Sequence, residues 1–280
     1  MVVIAISGQP GCGSSTAGRL LAEKFGLKFF STGEYYKKMA REKALQKRHS
    51  ETAASVNYFS TKEGSAKELH EEIDRMQVEK AKEGSIVSEG KLAIHFLEDI
   101  ADFKVWLKAS ADVRAQRYAK RDSISLREAE MLVKEKDSLE RATFRKIYGF
   151  DTFSQEKEAD IVIDTSIKKP EEIVAEIADF VNSNVMAALG YKIKFPEERY
   201  THIIIRHPEM ESKKNHIADS LLNPAIIKKS HYDEKVLIYY KEFGKEYIAT
   251  LVKILNKHGF ILTSYITEII KKGDTVWTKK

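Results

Sequence analysis

The stretch that most constrains this chain is Gly8-Gln9-Pro10-Gly11-Cys12-Gly13-Ser14-Ser15-Thr16. An apolar run, Val2-Val3-Ile4-Ala5-Ile6, precedes it, and residues 17–25 after it repeat their apolar side chains at helical spacing. A buried strand, a glycine turn and a helix N-terminus, in that order, form a cradle for phosphate. Glycine lets the backbone wrap closely, the loop N–H groups point inward, and the helix dipole adds partial positive charge. The pattern is G-x-x-x-x-G-K-[ST] with one departure, because Ser14 stands in the lysine's place; Ser15 keeps the hydroxyl that reaches Mg²⁺. A lysine about 4 Å from a phosphate contributes about 4 kcal/mol at an effective dielectric of about 20. Another cation should therefore reach the phosphates from elsewhere in the chain. Cys12, inside the loop, reads as a small tolerated side chain.

The chain has 280 residues, one cysteine and a formal net charge of +5. That length exceeds a typical single domain and indicates two. A lone cysteine excludes a disulfide framework and a four-cysteine zinc knuckle. No apolar run is long enough to cross a bilayer, and the first strand begins at once, leaving no room for a signal peptide. A soluble, cytoplasmic protein is expected. The mild basicity suits an anionic small molecule or RNA and selects neither.

Residues 27–30 read as a second strand running into Ser31-Thr32-Gly33-Glu34-Tyr35-Tyr36-Lys37-Lys38. Residues 51–82 are charged and helical in pattern. Further strands are expected at 85–88, leading into Glu89-Gly90-Lys91, and at 103–107 and 161–163. Residues 111–121 and 125–146 read as helices rich in basic side chains, and Pro170 opens a closing amphipathic helix. Alternating strands and helices predict an α/β fold, a five-stranded parallel sheet flanked by helices, with ligand at the strands' C-terminal ends.

With these pieces in order, residues 1–184 resemble a P-loop nucleoside monophosphate kinase, and most of all the short, archaeal-type cytidylate kinases. That family commonly carries a hydroxyl residue where Ser14 stands. The resemblance implies that Gly8, Gln9, Pro10, Gly11, Cys12, Gly13, Ser14, Ser15 and Thr16 hold ATP, with Ser15 on Mg²⁺. It implies monophosphate binding by Ser31, Thr32, Gly33, Tyr36 and Lys37, together with Glu89, Gly90 and Lys91. Arg114, Arg117 and Arg121 match the arginine series leading into a lid; Lys136, Asp137, Glu140 and Arg141 fall in the lid helix, followed by Tyr148-Gly149-Phe150-Asp151. Ser14, Ser15, Lys91, Arg117, Arg121, Lys136 and Arg141 are the catalytic set so implied. Lys37, Lys91 and Lys136 each replace an arginine, exchanging a planar fork for a point charge. The lid arginine expected before Phe144 is Thr143, so Arg141 or Arg145 would supply it. The implied partners are ATP, with Mg²⁺, and CMP or dCMP; the residues themselves do not separate cytosine from adenine or uracil.

After Asn184 the pattern changes, and residues 185–280 read as a small α+β domain with an antiparallel sheet. Helices are expected at 196–207 and 213–222, then strands at 226–230, 236–242, 247–255 and 260–265. Breaks at Asp233-Glu234, Phe243-Gly244-Lys245 and His258-Gly259 suit hairpins. This part resembles, more faintly, phage-associated nuclease-like domains of the barnase–EndoU–colicin–RelE group. His202, Arg206, His207, Lys253, Thr263 and Tyr265 form its candidate site. His202 and Arg206 share a helix face, and Lys253 lies between Leu251 and Leu255 on one strand face, where a charge suggests a binding surface. The resemblance implies metal-free RNA cleavage or RNA contact; the alternative is an assembly module with ordinary surface histidines. For the whole chain three readings stand: a monophosphate kinase (CMP, or another acceptor such as AMP), a nucleotide-sensing protein acting on RNA, and a P-loop binding module without turnover.

Overall fold

The computed structural model describes residues 2–43, 50–256 and 258–279. It divides into two compact units, Met1–Ala178 and Asp179–Lys280. The division falls six residues before the 184/185 boundary expected from the change in sequence pattern, within the last long helix of the first part.

The first unit is built on five parallel strands, β1 (Val3–Gly8), β2 (Lys28–Ser31), β3 (Ile86–Glu89), β4 (Phe103–Lys108) and β5 (Ile161–Asp164), in the order β2-β3-β1-β4-β5. β1 is central and buried along its whole length, as a near-continuous apolar run in a doubly covered sheet requires. Its register sets Ile6 beside Glu89 and Gly8 beside Leu107, so the ends of β1, β3 and β4 come level. The helices are α1 (Ser14–Phe25), α2 (Thr32–Lys43), α3 (Glu51–Phe59), α4 (Lys67–Lys82), α5 (Ala93–Phe96), α6 (Ala111–Asp122), α7 (Leu126–Tyr148) and α8 (Pro170–Asn182). Side-chain caps start several of them: the Ser50, Ser110 and Ser125 hydroxyls accept from the N–H groups of Ala53, Val113 and Glu128. α7 stops at Gly149, whose φ of +82° is the left-handed cap that a β-carbon would strain. Trp106 on β4 packs with Ala5, Ile86 and Ile94, and a second cluster joins Tyr36, Tyr58, Phe59, Ile73 and Phe144.

The second unit opens on two short strands, β6 (Asn184–Met186) and β7 (Lys192–Lys194), then helices α9 (Glu197–Arg206) and α10 (Lys214–Leu222). Five strands follow: β8 (Ile226–Lys229), β9 (Val236–Phe243), β10 (Glu246–Leu255), β11 (His258–Thr267) and β12 (Thr275–Thr278). They form one sheet in the order β12-β8-β9-β10-β11-β7-β6, antiparallel except for the β11–β7 pair. Three strands beyond the expected four are therefore present. His258 and Gly259 are not a hairpin break but the start of β11; the chain turns at Asn256, which takes φ +56°. Gly244, at φ +65°, makes the β9–β10 turn as expected. The core of this unit gathers Ile193, Phe195, Ile203, Met210, Ile217 and Tyr239.

Candidate active site

The glycine loop runs from the end of β1 to the start of α1. Cys12 N–H donates to the Gln9 carbonyl at 3.1 Å and Ala17 N–H to that of Gly13 at 3.0 Å. Gly11 and Gly13 take φ of +82° and +94°, so a side chain at either would be strained. Arginines on α6 brace the loop, and Arg117 also lines the cavity beside it. Arg114 Nη1 donates to the Pro10 carbonyl at 3.1 Å, and Arg117 Nη1 to those of Gly11 at 3.3 Å and Cys12 at 3.0 Å. Arg117 also holds Thr165, after β5, through Oγ1 and the carbonyl. With these carbonyls tied back, the loop offers an anion its N–H edges. Gln9 Oε1 accepts from Ala109 N–H at 3.1 Å. Cys12 is buried, burial pushes its thiol pKa up, and it serves as packing.

Ser14, in the lysine's place, donates to Glu89 Oε1 at 2.6 Å. Ser15 donates to Oε2 of the same carboxylate at 3.2 Å, and Ser31, at the end of β2, at 2.5 Å. Three hydroxyls, two from the first turn of α1 and one from the end of β2, thus converge on one buried carboxylate, which is 6% exposed. Gln77 of α4 fixes that strand end, donating to Ser88 Oγ at 3.0 Å and to the Glu89 carbonyl at 3.3 Å. Gly90 follows because there is no room for more: a β-carbon there would sit 2.2 Å from Thr32 Oγ1.

Ser14, Ser15, Glu89 and Gly90 line a cavity of about 730 Å³, together with Thr16, Thr32, Gly33, Lys37, Lys91 and Lys136, whereas Ser31, expected in the monophosphate site, is not in its wall and reaches it only through Glu89. Lys91 Nζ lies 3.3 Å from the Gly8 carbonyl and 3.1 Å from Glu140 Oε2. Lys136 Nζ lies 3.6 Å from Glu140 Oε1 and 3.2 Å from Ser55 Oγ. One carboxylate of α7 therefore stands between two ammonium groups. Burial brings the Lys136 pKa down to about 8, with Lys91, Lys37 and Arg121 adding to the fall and Glu140 opposing it. Lys37 pairs with Glu51 at 2.8 Å. Arg121 reaches the cavity wall but donates to Asp122 at 2.9 Å and lies over the Tyr118 ring. Tyr36 presents its ring, while its hydroxyl donates to the Gly64 carbonyl at 2.8 Å.

Some expected residues lie elsewhere. Arg141 and Arg145, read as lid arginines, do not line the cavity: both bind Asp151, and Arg141 lies over the Phe153 ring. The hydrogen bond from Arg141 is the main cause that holds the Asp151 pKa down to about 2. They are held there because Gly149 ends α7 and returns Asp151 against its last turns. Arg114 pairs through both Nη atoms with Asp137 at 2.9 and 2.8 Å, supporting the loop from behind. Other lining residues went unread: His70, Ile73 and Asp74 on α4, and Lys168 and Lys169 before α8. The signal for the α4 group was present as buried positions 70, 73, 74 and 77 at helical spacing, masked by their polarity.

A phosphate-binding glycine turn at the C-terminal edge of a parallel five-stranded sheet, beside a cavity rich in lysine, defines a P-loop phosphotransferase of the nucleoside monophosphate kinase class. The chain belongs to the cytidylate kinase-like family, whose family model matches residues 3–167. It is 36% identical to the cytidylate kinase of Pyrococcus horikoshii over 174 residues, 62% of this chain and 85% of that protein. It is also 36% identical to the cytidylate kinase of Ignicoccus hospitalis over 177 residues, 63% of this chain and 97% of the relative. Among solved structures, shikimate kinase from Aquifex aeolicus aligns with 65% of this chain and 97% of its own, at 22% identity and a TM-score of 0.40.

The family match ends before the second unit. There, His202 and Arg206 lie exposed on α9. His207 sits beside Tyr265, ring centroids 5.4 Å apart, with Nδ1 3.4 Å from Glu209 Oε1. Thr263 and Tyr265 pair across the sheet with Leu251 and Ala249. Lys253 shares that face but stands four residues from Ala249, about 13 Å along the strand. Its ammonium is bound to Asp233, which answers the charge that the sequence left unexplained. The structure thus joins His207 with Tyr265 and does not bring Lys253 to them.

Proposed function

We propose that this chain transfers the γ-phosphoryl group of ATP to CMP or dCMP, giving ADP and CDP or dCDP, in the cytoplasm. The observation that carries the reading is the convergence of Ser14, Ser15 and Ser31 on Glu89 at the glycine loop, in a cavity walled by Lys37, Lys91 and Lys136. The names of the relatives supply cytosine as the acceptor base.

Gly8 to Thr16 would hold the ATP phosphates through main-chain N–H groups. Lys91, against the Gly8 carbonyl, supplies the cation that Ser14 cannot. The donor set fits Mg²⁺: Ser15 Oγ and Glu89 are hard oxygens, and an ion shared with phosphates needs only one or two from protein. When bound it would neutralise phosphate oxygens. The attacking oxygen of a monophosphate is already anionic, so the protein needs to position and neutralise rather than remove a proton. Thr32, Gly33 and Lys37 at the start of α2 receive the monophosphate, and Lys136 reaches the transferred group from α7. Arg117 acts through the loop it holds, and Arg121 from the wall.

An ADP-release assay on the full-length protein with CMP, dCMP, UMP and AMP tests this. CMP or dCMP should give the highest kcat/KM. AMP as the best acceptor would reassign the substrate, and no release with any acceptor would overturn the kinase reading.

For the second unit the pairing of His207 with Tyr265, close to Lys271 over the same ring, favours RNA contact. Full-length protein incubated with single-stranded RNA in EDTA should bind it with strong salt dependence, and His207→Ala should weaken binding. Equal binding by both would remove that site, and cleavage lost with His207→Ala would raise it to a nuclease.

A further inference from the structure

Helix α4 turns a partly polar face inward: His70, Ile73, Asp74 and Gln77 are all buried. The first three line the cavity, yet phosphate chemistry uses none of them. His70 lies nearly parallel to Tyr36, with centroids 5.7 Å apart, and within 5.2 Å of Phe59 and 5.0 Å of Phe144. These rings make an aromatic wall suited to a flat heterocycle.

Asp74 is the anomaly in that wall. It is 8% exposed, and among the described residues no cation pairs with it. Burying a carboxylate without a counter-ion costs several kcal/mol, roughly, even after relaxation. Burial accordingly pushes its pKa up to about 6, with Glu71 adding a little and the Tyr148 hydrogen bond opposing. The Tyr148 hydroxyl donates to Oδ2 at 2.5 Å. Tyr148 is itself stacked on Phe144 and edge-on to Phe96, so the carboxylate is held at a fixed angle. Oδ1 receives no hydrogen bond among the described residues. A buried acid that destabilises the fold, is fixed by a second side chain and lines a ligand cavity suits a group that reads a ligand.

We propose that Asp74 determines which base the acceptor carries, its Oδ1 accepting a hydrogen bond from an exocyclic amino group. Cytosine offers an amino donor at position 4, where uracil offers a carbonyl oxygen, which a carboxylate oxygen repels. Discrimination then comes as much from the repulsion of uracil as from the bond to cytosine. This inference rests on the kinase reading above and adds the residue that sets its substrate.

The test is kcat/KM for CMP and UMP, with the KM for ATP, on the full-length protein, Asp74→Asn and Tyr148→Phe. Asparagine can present a donor to the uracil oxygen, and it removes a buried charge, so the fold should persist. The CMP-to-UMP ratio should fall about thirtyfold or more in Asp74→Asn, mainly through the KM for CMP, with the KM for ATP within about twofold. Tyr148→Phe, which keeps the carboxylate and loosens it, should lower the ratio by about threefold to tenfold. Loss of CMP and UMP turnover in equal proportion would make Asp74 a structural residue and overturn the assignment. So would an unchanged ratio in Tyr148→Phe if Asp74→Asn does not fold, or a wild type that prefers UMP. A wild type that turns over no monophosphate would instead overturn the kinase reading itself.

Discussion

Ser14 donates to Glu89 where this loop pattern elsewhere carries an ammonium. The exchange removes a positive charge from the loop, and in the function proposed above Lys91 and Lys136, which belong to other elements, supply it. Lys136 shows the consequence most directly. Its pKa lies at about 8 against an ordinary 10.5 because it is buried, so the folded protein binds fewer protons than the unfolded chain between those values. Its burial therefore destabilises the fold below about pH 8, and stability recovers as pH rises toward 10.5. In the function proposed above a phosphate comes to lie beside it, which would restore the proton. Nucleotide binding at pH 8 should take up about half a proton, measured as a dependence of calorimetric heat on the ionisation enthalpy of the buffer. Lys136→Met should abolish that uptake; uptake unchanged in the variant would remove Lys136 from the phosphate site.

At the scale of elements, the ion pair between Arg114 of α6 and Asp137 of α7 joins the two helices and carries a third contact, to the Pro10 carbonyl. Arg114 is 4% exposed. Arg114→Ala would leave Asp137 unpaired and the loop unbraced, at a cost of about 3 kcal/mol or more. Urea denaturation should show the loss in stability, and the KM for ATP should rise, whereas Asp137→Asn should cost less. Elements with a strong period were legible from sequence: β1, the glycine turn, the capped α6 and α7, and the β9–β10 hairpin all carry their own local signals. Those that were not share a physical cause. β7 is Lys192-Ile193-Lys194, one buried residue between charges, and exists because β11 and β6 supply partners on either side. The inward face of α4 was hidden because His70, Asp74 and Gln77 are polar residues that only a packed site would bury. Arg141 and Arg145 matched a pattern by position, but the direction of their side chains is set by Asp151, which returns after Gly149.

At the scale of the molecule, every residue that lines the cavity falls between Gly8 and Ile173, within the first unit. Phosphoryl transfer thus draws on about three-fifths of the chain, and the second unit brings a core and a sheet of its own. No helix among the described residues is long and apolar enough to cross a membrane. The two-part organisation could be read from the change in pattern after Asn184, because alternating strands and helices give way to hairpins. The chemistry of the second part could not, since a handful of histidines and lysines fixes no geometry until a sheet places them.

Glu140, held between Lys91 and Lys136, makes the cavity a place of anion exchange rather than anion capture. An incoming group must outcompete a tethered rival that is always at hand, and a singly charged visitor such as chloride gains too little to do so. A phosphoryl group, with more charge and several oxygens, can displace it, and the displaced carboxylate stays tethered beside the site. Such a built-in competitor sets a threshold that stray ions fail and polyphosphates pass.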